Sequence, residues 1–304
     1  MSAGGRAIAR APWGRRLTVA VPYVWLALFF LAPFLVAVKI SLARMVMDQP
    51  PYTPLLAWGE GLLPEIQVSL SNYIWLFQDP IYWIAYLSSL KIAAISTVGC
   101  LLIGYPMAYA IARARPGART VLLMLVILPF WTSFLLRVYA WMGLLKQGGL
   151  VNQALMAIGA TGEPLTLLHT PFAVHLGIVY AYLPFMILPL YAALAKLDTG
   201  LLEAAHDLGA RPWRAFWTVT VPLSLPGVIA GSLLVFIPAV GEFVIPELLG
   251  GPRTLMIGNV LWDEFFSNRD WPVAAAVGVV LIVVLVVPIA VFQHHQGRVE
   301  GARP

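Results

Sequence analysis

The chain has 304 residues, of which 60% are hydrophobic and only 11% charged, with a mean hydropathy of +0.83. A soluble domain cannot hide that much apolar surface, so composition excludes soluble enzymes and points to an integral membrane protein. The net charge of +5 sits in loops between apolar runs, which speaks of membrane topology instead of nucleic acid, and the single cysteine, Cys100, excludes a disulfide framework.

Residues 1–17 form an N-terminal arm with Arg6, Arg10, Arg15 and Arg16 and no acidic residue. The first apolar run, Thr18–Ser41, is too long for a signal-peptide core and reads as a retained span. A polar segment, 42–80, carries Asp48, Glu60, Glu65 and Asp79. A second span is expected at about 81–112, followed by a short loop with Arg113, Arg115 and Arg119, and a third at about 120–145. After a Gly-rich loop a fourth occupies about 171–195, with Pro184 and Pro189 expected to kink it.

The stretch 196–222 is different in kind. In Glu203–Pro222, EAAHDLGARPWRAFWTVTVP, Ala204, Ala205 and Leu208 recur at helical spacing, with Glu203, His206 and Asp207 on the remaining faces. Gly209 breaks that helix, Arg211-Pro212 marks a turn, and a second helical piece starts near Trp213 and runs towards Pro222. Two short helices with a glycine bend make a knob that a soluble partner could grip.

A fifth span follows at about 223–249, with Pro238 and Pro246 inside it, then a loop with Asp263, Glu264 and Asp270. A sixth span, about 271–292, leads to a tail with His294, His295 and Arg298. Gly227-x-x-x-Gly231 permits close helix approach, either within this chain or to a second membrane subunit. The expected organisation is thus an arm 1–17, a six-helix domain 18–293 containing the loop 196–222, and a tail 294–304, with no second domain boundary.

Six spans put both termini on one side. Loops on that side hold twelve Lys and Arg, whereas the opposite side holds four: Arg44, Lys146, Arg253 and Arg269. The excess of Lys and Arg assigns both termini, the Arg113–Arg119 loop and the knob to the cytoplasm. Lys91, Arg137 and Glu242 are ionisable residues inside the spans, each costing about 2.5–3.5 kcal/mol at a helix centre, so each needs a partner or water. Two readings of Glu242 stand open: an ion pair with Lys91 or Arg137, or a carboxylate that lines a pathway and attracts a cation, with aromatic faces beside it. Together with Trp262, Asp263 and Glu264 these form the candidate pathway set. His206, His294 and His295 have no carboxylate or cysteine at ligand spacing, so no metal site is expected. No G-x-x-x-x-G-K-[ST], nucleophile elbow or zincin motif occurs, so no catalytic or cofactor-binding residue is assigned to this chain.

Glu203-Ala204-Ala205, three residues, Gly209, nine residues, then Val219-x-Val221-Pro222 resembles the EAA motif of ABC importer permeases, with Val where that family usually has Ile and Leu. The resemblance implies an all-α, six-span type I ABC importer permease fold, with Glu203, Ala204, Ala205, Asp207, Gly209, Arg211 and Pro222 in a cytoplasmic coupling helix that docks on an ATPase. From LPFWTSFLLRVYAWMGLL (128–145) through GIVYAYLPFMILPLYAAL (177–194) to VFIPAVGEFVIPELLGGPRTLMIGNVLWDEFFSNRDWPVA (235–274), the text resembles the polyamine permeases, most closely the first permeases of putrescine importers. Arg253 is a departure, a basic residue where an acidic one is expected. This resemblance implies a heterodimer with a second permease, two copies of an ATP-binding subunit that carry ATP and magnesium, and a periplasmic polyamine-binding protein. The alternatives are an ABC permease for iron, sulfate or molybdate, and a secondary transporter, for which no inverted repeat is found.

Overall fold

The structure, a computed structural model, describes residues 12–54, 56–58, 64–252 and 254–300. Arg6, Arg10, Glu60, Arg253 and the end of the tail lie outside the described residues, as do the side chains of His294, His295 and Arg298.

Helix α1 (Pro12–Leu26) passes through a π-helical turn, Ala27–Leu31, into α2 (Ala32–Ser41). Beyond it lies a short antiparallel ribbon, β1 (Leu56–Trp58) on β2 (Pro64–Ile66), in which Leu56 pairs with Ile66. Next come α3 (Ser71–Gln78), α4 (Pro80–Arg113), α5 (Pro116–Ile127), α6 (Phe134–Leu145), α7 (Leu150–Ala157) and α8 (Pro171–Leu194). Then follow α9 (Gly200–Asp207), α10 (Pro212–Ala215), α11 (Val221–Val240), α12 (Val244–Leu249), α13 (Ile257–Trp262) and α14 (Trp271–Glu300). Proline opens α4, α5, α8 and α10, where its missing N–H costs nothing. Asp79 and Thr170 cap two of these starts, accepting from the Ile81 and Ala173 N–H groups.

Among the described residues four helices are long and apolar enough to cross a membrane: Thr18–Ser41, Pro80–Arg113, Pro171–Leu194 and Pro212–Val240. A further apolar pair, Pro116–Trp131 and Phe134–Ala157, is bent by 91° at its junction, the form of a broken span or a re-entrant loop. The apolar stretch Trp271–Val287 of α14 is a shorter apolar helix.

Two expected spans are corrected. The third, 120–145, is not one rod. A 3-10 turn at Leu128–Trp131 precedes an extended Thr132, whose hydroxyl donates to the Pro129 carbonyl at 2.8 Å, a local bond that competes with the helix ladder. The fifth, expected at 223–249, runs instead from Pro212 through the π-helical turn Phe216–Thr220 to Val240, and stops at Gly241. Pro246 therefore belongs to α12, and Glu242 sits at a helix break. Through Pro184 and Pro189, by contrast, α8 stays a continuous helix.

The chain divides into two compact units, residues 1–78 with 263–304, and residues 79–262, where the sequence suggested no boundary. In the first unit α2 packs on α14, and the Asn72 side chain donates to the Ser41 and Ala43 carbonyls at 2.8 Å each, closing the end of α2. In the second, α8 lies against both α4 and α11, around Cys100, Ala108, Ile111, Met186, Ile187, Leu190 and Val235. Small residues set the spacing. A Cβ added at Gly227 would lie 2.6 Å from Ala193 Cβ and 2.9 Å from the Pro189 carbonyl oxygen, and one at Gly231 would lie 3.0 Å from the Met186 carbonyl oxygen. The Gly227-x-x-x-Gly231 pair thus seats α11 on α8 of the same chain.

Candidate functional site

The break after α11 builds a carboxylate site. Gly241 ends the long helix, and the short α12 begins with N–H groups that have no carbonyl of a preceding turn to bind. Glu242 supplies that acceptor: its Oε1 takes the Val244 and Ile245 N–H groups at 3.1 and 3.4 Å. Its Oε2 accepts the Tyr182 hydroxyl, from α8, at 2.5 Å. Only 8% of Glu242 is exposed. The start of α13 presses on the same break, because Gly258 has no side chain: a Cβ there would come 2.5 Å from the Glu242 carbonyl oxygen. The Ile257 N–H donates to Ser89 Oγ of α4 at 2.8 Å, and Asn259 Nδ2 donates to Glu247 at 2.7 Å, which together fix α13.

Aromatic rings stand on Tyr182, whose hydroxyl meets the carboxylate, and on Phe243, the residue after Glu242. Phe243 stacks on Trp262 with centroids 4.4 Å apart and planes 15° apart, and Trp262 keeps 42% of its surface exposed. Tyr182 neighbours Phe185 at 6.1 Å, and Phe185 meets Phe130 edge-on at 5.2 Å.

Trp262 stacks on Phe243, next to Glu242 in the chain, and the other expected members have settings of their own. Of the two open readings of Glu242, no ion pair with Lys91 or Arg137 is seen among the described residues, where its partners are a hydroxyl and two backbone N–H groups. Arg137 lies instead over the Phe130 and Phe134 rings at 5.2 and 5.7 Å, a cation–π arrangement, with its Nε buried and without a hydrogen-bond partner among the described residues. Lys91 is exposed on α4. Asp263 and Glu264 belong to the first unit, in the π-helical turn Asp263–Ser267, where they accept from Ser267 and from Asn268. Tyr182 and Phe243 were missed because both sit in apolar runs where an aromatic reads as packing. The one signal was that a tyrosine hydroxyl buried in a span needs a partner.

The knob has a definite form. Helix α9 ends in a Schellman motif: Gly209 N–H donates to the His206 carbonyl at 2.8 Å and Ala210 N–H to the Ala205 carbonyl at 2.9 Å. Gly209 takes φ 82°, which only glycine adopts cheaply. Glu203, Ala204, Asp207, Gly209, Arg211 and Pro222 are exposed and Ala205 is half-buried. Leu208 is 90% exposed. The second piece of the knob is not a separate short helix, as the sequence suggested, but the start of the long helix Pro212–Val240. It is anchored by Phe216, which meets Tyr105 and Tyr109 of α4 edge-on, each at 5.7 Å. Among the described residues no group of three His, Cys, Asp or Glu could hold a metal ion.

The family described as binding-protein-dependent transport system inner membrane component matches residues 100–299. The chain is similar to PotB of Haemophilus influenzae, a spermidine/putrescine transport system permease protein, with 41% identity over 278 residues, 91% of this chain and 92% of the relative. The protein of the same name from Escherichia coli K12 is 39% identical over 268 residues, 88% of this chain and 92% of the relative. Among solved structures, a bacterial alginate ABC transporter in complex with an alginate pentasaccharide-bound periplasmic protein aligns with a TM-score of 0.67 at 19% identity, covering 94% of this chain and 95% of that one. That last likeness is one of fold.

Proposed function

The chain belongs to the family of binding-protein-dependent transport system inner membrane components, and from that premise we propose that it is a permease subunit of an ATP-driven polyamine importer. It is a multi-pass inner-membrane protein with the six-span type I ABC importer permease fold, the non-catalytic membrane component of its transporter. Relatives about as long as this chain carry spermidine and putrescine in their names.

The observation that carries the substrate class is Glu242: a carboxylate held by three neutral donors, beside the Phe243–Trp262 ring pair. Dipoles keep the anion in place without cancelling its charge, which leaves the charge for a visiting cation. A polyamine shedding water on entry regains part of that loss from a carboxylate and from aromatic faces. An oxyanion such as sulfate or molybdate would meet repulsion here, and iron would want more oxygen, nitrogen or sulfur ligands than these residues offer.

In this reading the chain forms half of the translocation pathway, with a second permease as the other half. A periplasmic polyamine-binding protein delivers substrate, and two copies of an ATP-binding subunit hold ATP and magnesium. Both termini and the knob are cytoplasmic, and Glu203, Ala204, Ala205, Asp207, Gly209, Arg211 and Pro222 transmit closure of the ATPase to the long helix Pro212–Val240. The anchoring of Phe216 on α4 supports this, since force on the knob reaches α4 and α11 together.

The test is uptake of labelled putrescine and spermidine by cells that lack other polyamine importers and express the complete transporter. ATP-dependent uptake of either is the expected result. Uptake of neither, with the complex assembled in the membrane, would overturn the substrate class.

A further inference from the structure

The geometry points to Tyr182 and Glu242 acting as one clamp for an ammonium group, with Tyr182 a direct substrate ligand; this rests on the polyamine reading above. An ionised carboxylate offers about four acceptor positions. Three are filled here, two on Oε1 by the Val244 and Ile245 N–H groups and one on Oε2 by Tyr182. The open position is therefore on Oε2, beside the tyrosine.

The backbone donors decide which oxygen faces the visitor. They hold Oε1 against the start of α12, which directs Oε2 at Tyr182 of α8. Because Tyr182 donates its proton to Oε2, its phenolic oxygen keeps its lone pairs free to accept. Two acceptor oxygens thus stand 2.5 Å apart. An ammonium carries three donors on one compact centre and can reach both at once, with a third N–H left over.

The same pair serves the empty transporter. A carboxylate only 8% exposed is costly without donors, and the Tyr182 hydroxyl satisfies Oε2 until substrate arrives. When an ammonium enters, the hydroxyl changes from the only donor on Oε2 to a shared partner. No bond in the protein backbone has to break, so the site can load and release without rebuilding α12.

A double-mutant cycle on the complete transporter tests the clamp. Polyamine uptake is measured per assembled complex for wild type, Tyr182→Phe, Glu242→Gln and the double variant. Tyr182→Phe keeps the ring beside Phe185 and removes only the hydroxyl, and the expected loss of uptake is about tenfold, the scale of one hydrogen bond to a charged group. In the Glu242→Gln background the same change should cost little more, because the clamp is already lost. Should Glu242→Gln fail to assemble, Glu242→Asp takes its place, since it withdraws the carboxylate from Tyr182 by one methylene. Wild-type uptake by Tyr182→Phe overturns the clamp, and so does a loss that simply multiplies in the double variant, which marks a structural role. Both outcomes leave the polyamine reading intact, whereas a wild-type complex that moves no polyamine removes that reading before any variant is compared.

Discussion

Asp270 heads α14 with two bonds: its carboxylate accepts the Val273 N–H at 3.0 Å and its carbonyl accepts the Ala274 N–H at 2.9 Å. Burial pushes its carboxyl above the ordinary range, the Val273 N–H pulls it back, and Glu264 nearby adds to the rise. A carboxyl raised in the folded state favours folding while protonated. That contribution is full below the ordinary value of 3.8 and is lost as pH rises through the raised value. Asp270→Asn keeps an oxygen for Val273 and carries no charge to bury. Its thermal unfolding in detergent should therefore be flatter across that acidic window and no lower than wild type at neutral pH. Asp270→Ala loses the cap and should cost about 1 kcal/mol. An Asn variant less stable than the Ala variant at neutral pH would refute this account. At this scale Glu242 was legible as an ionisable residue in an apolar run, but its partners were not. A search for opposite charge finds Lys91 and Arg137, while the donors that bind it are a tyrosine and two backbone groups with no charge to advertise.

The elements follow sequence where a single residue type has a single use. Proline marks the starts of α4, α5, α8 and α10, and Gly209 marks the end of α9. What Gly209 does is now specific. Nothing lies within 4 Å of a Cβ placed there, so its need is the left-handed backbone and not space. A side-chain-bearing residue in that conformation costs about 1–2 kcal/mol, with asparagine tolerated best and β-branched residues worst. Gly209→Asn should therefore keep the ATPase bound when the permease is purified, and Gly209→Val should shed it while remaining inserted. Equal recovery of the ATPase with the valine variant would sink the coupling role of α9. Breaks inside helices were harder to read. Thr132 and Gly241 interrupt runs whose hydropathy continues unbroken, because hydropathy records transfer into lipid and not the local bonds that end a ladder.

For the whole molecule, orientation rests on the surplus of Lys and Arg in alternate loops. Single cysteines on the opposite side, in a Cys100→Ala background, should react from outside with an impermeant thiol reagent. Asn152 and Ser267 are the choices from sequence alone, since both fall in expected loops, yet the structure buries Asn152 completely, with its amide bonded to both the N–H and the carbonyl of Leu165. Glu163 and Ser267 are exposed and suit the purpose. Labelling of both in intact cells is expected. Labelling of either only after the cytoplasmic side is opened would reverse the topology. Cys100 itself is fully buried on α4, which is why the background reaction of the unmodified chain should be low.

The amino-acid sequence by itself determined that the chain lives in a membrane, roughly where its apolar runs lie, and which segment ends a helix in glycine. Each of those rests on local chemistry: apolar runs of sufficient length, arginines between them, and a glycine at a helix end. The tertiary structure alone decided who meets whom. Gly227 and Gly231 could have served another subunit, and the approach of α8 gives them to this one. Tyr182 and Glu242 are separated by 60 positions in the chain, and no local rule links a tyrosine to a carboxylate at that distance. They meet because α8 packs on α11 up to the break at Gly241, and because a buried carboxylate must collect its donors from whatever the packing brings within reach.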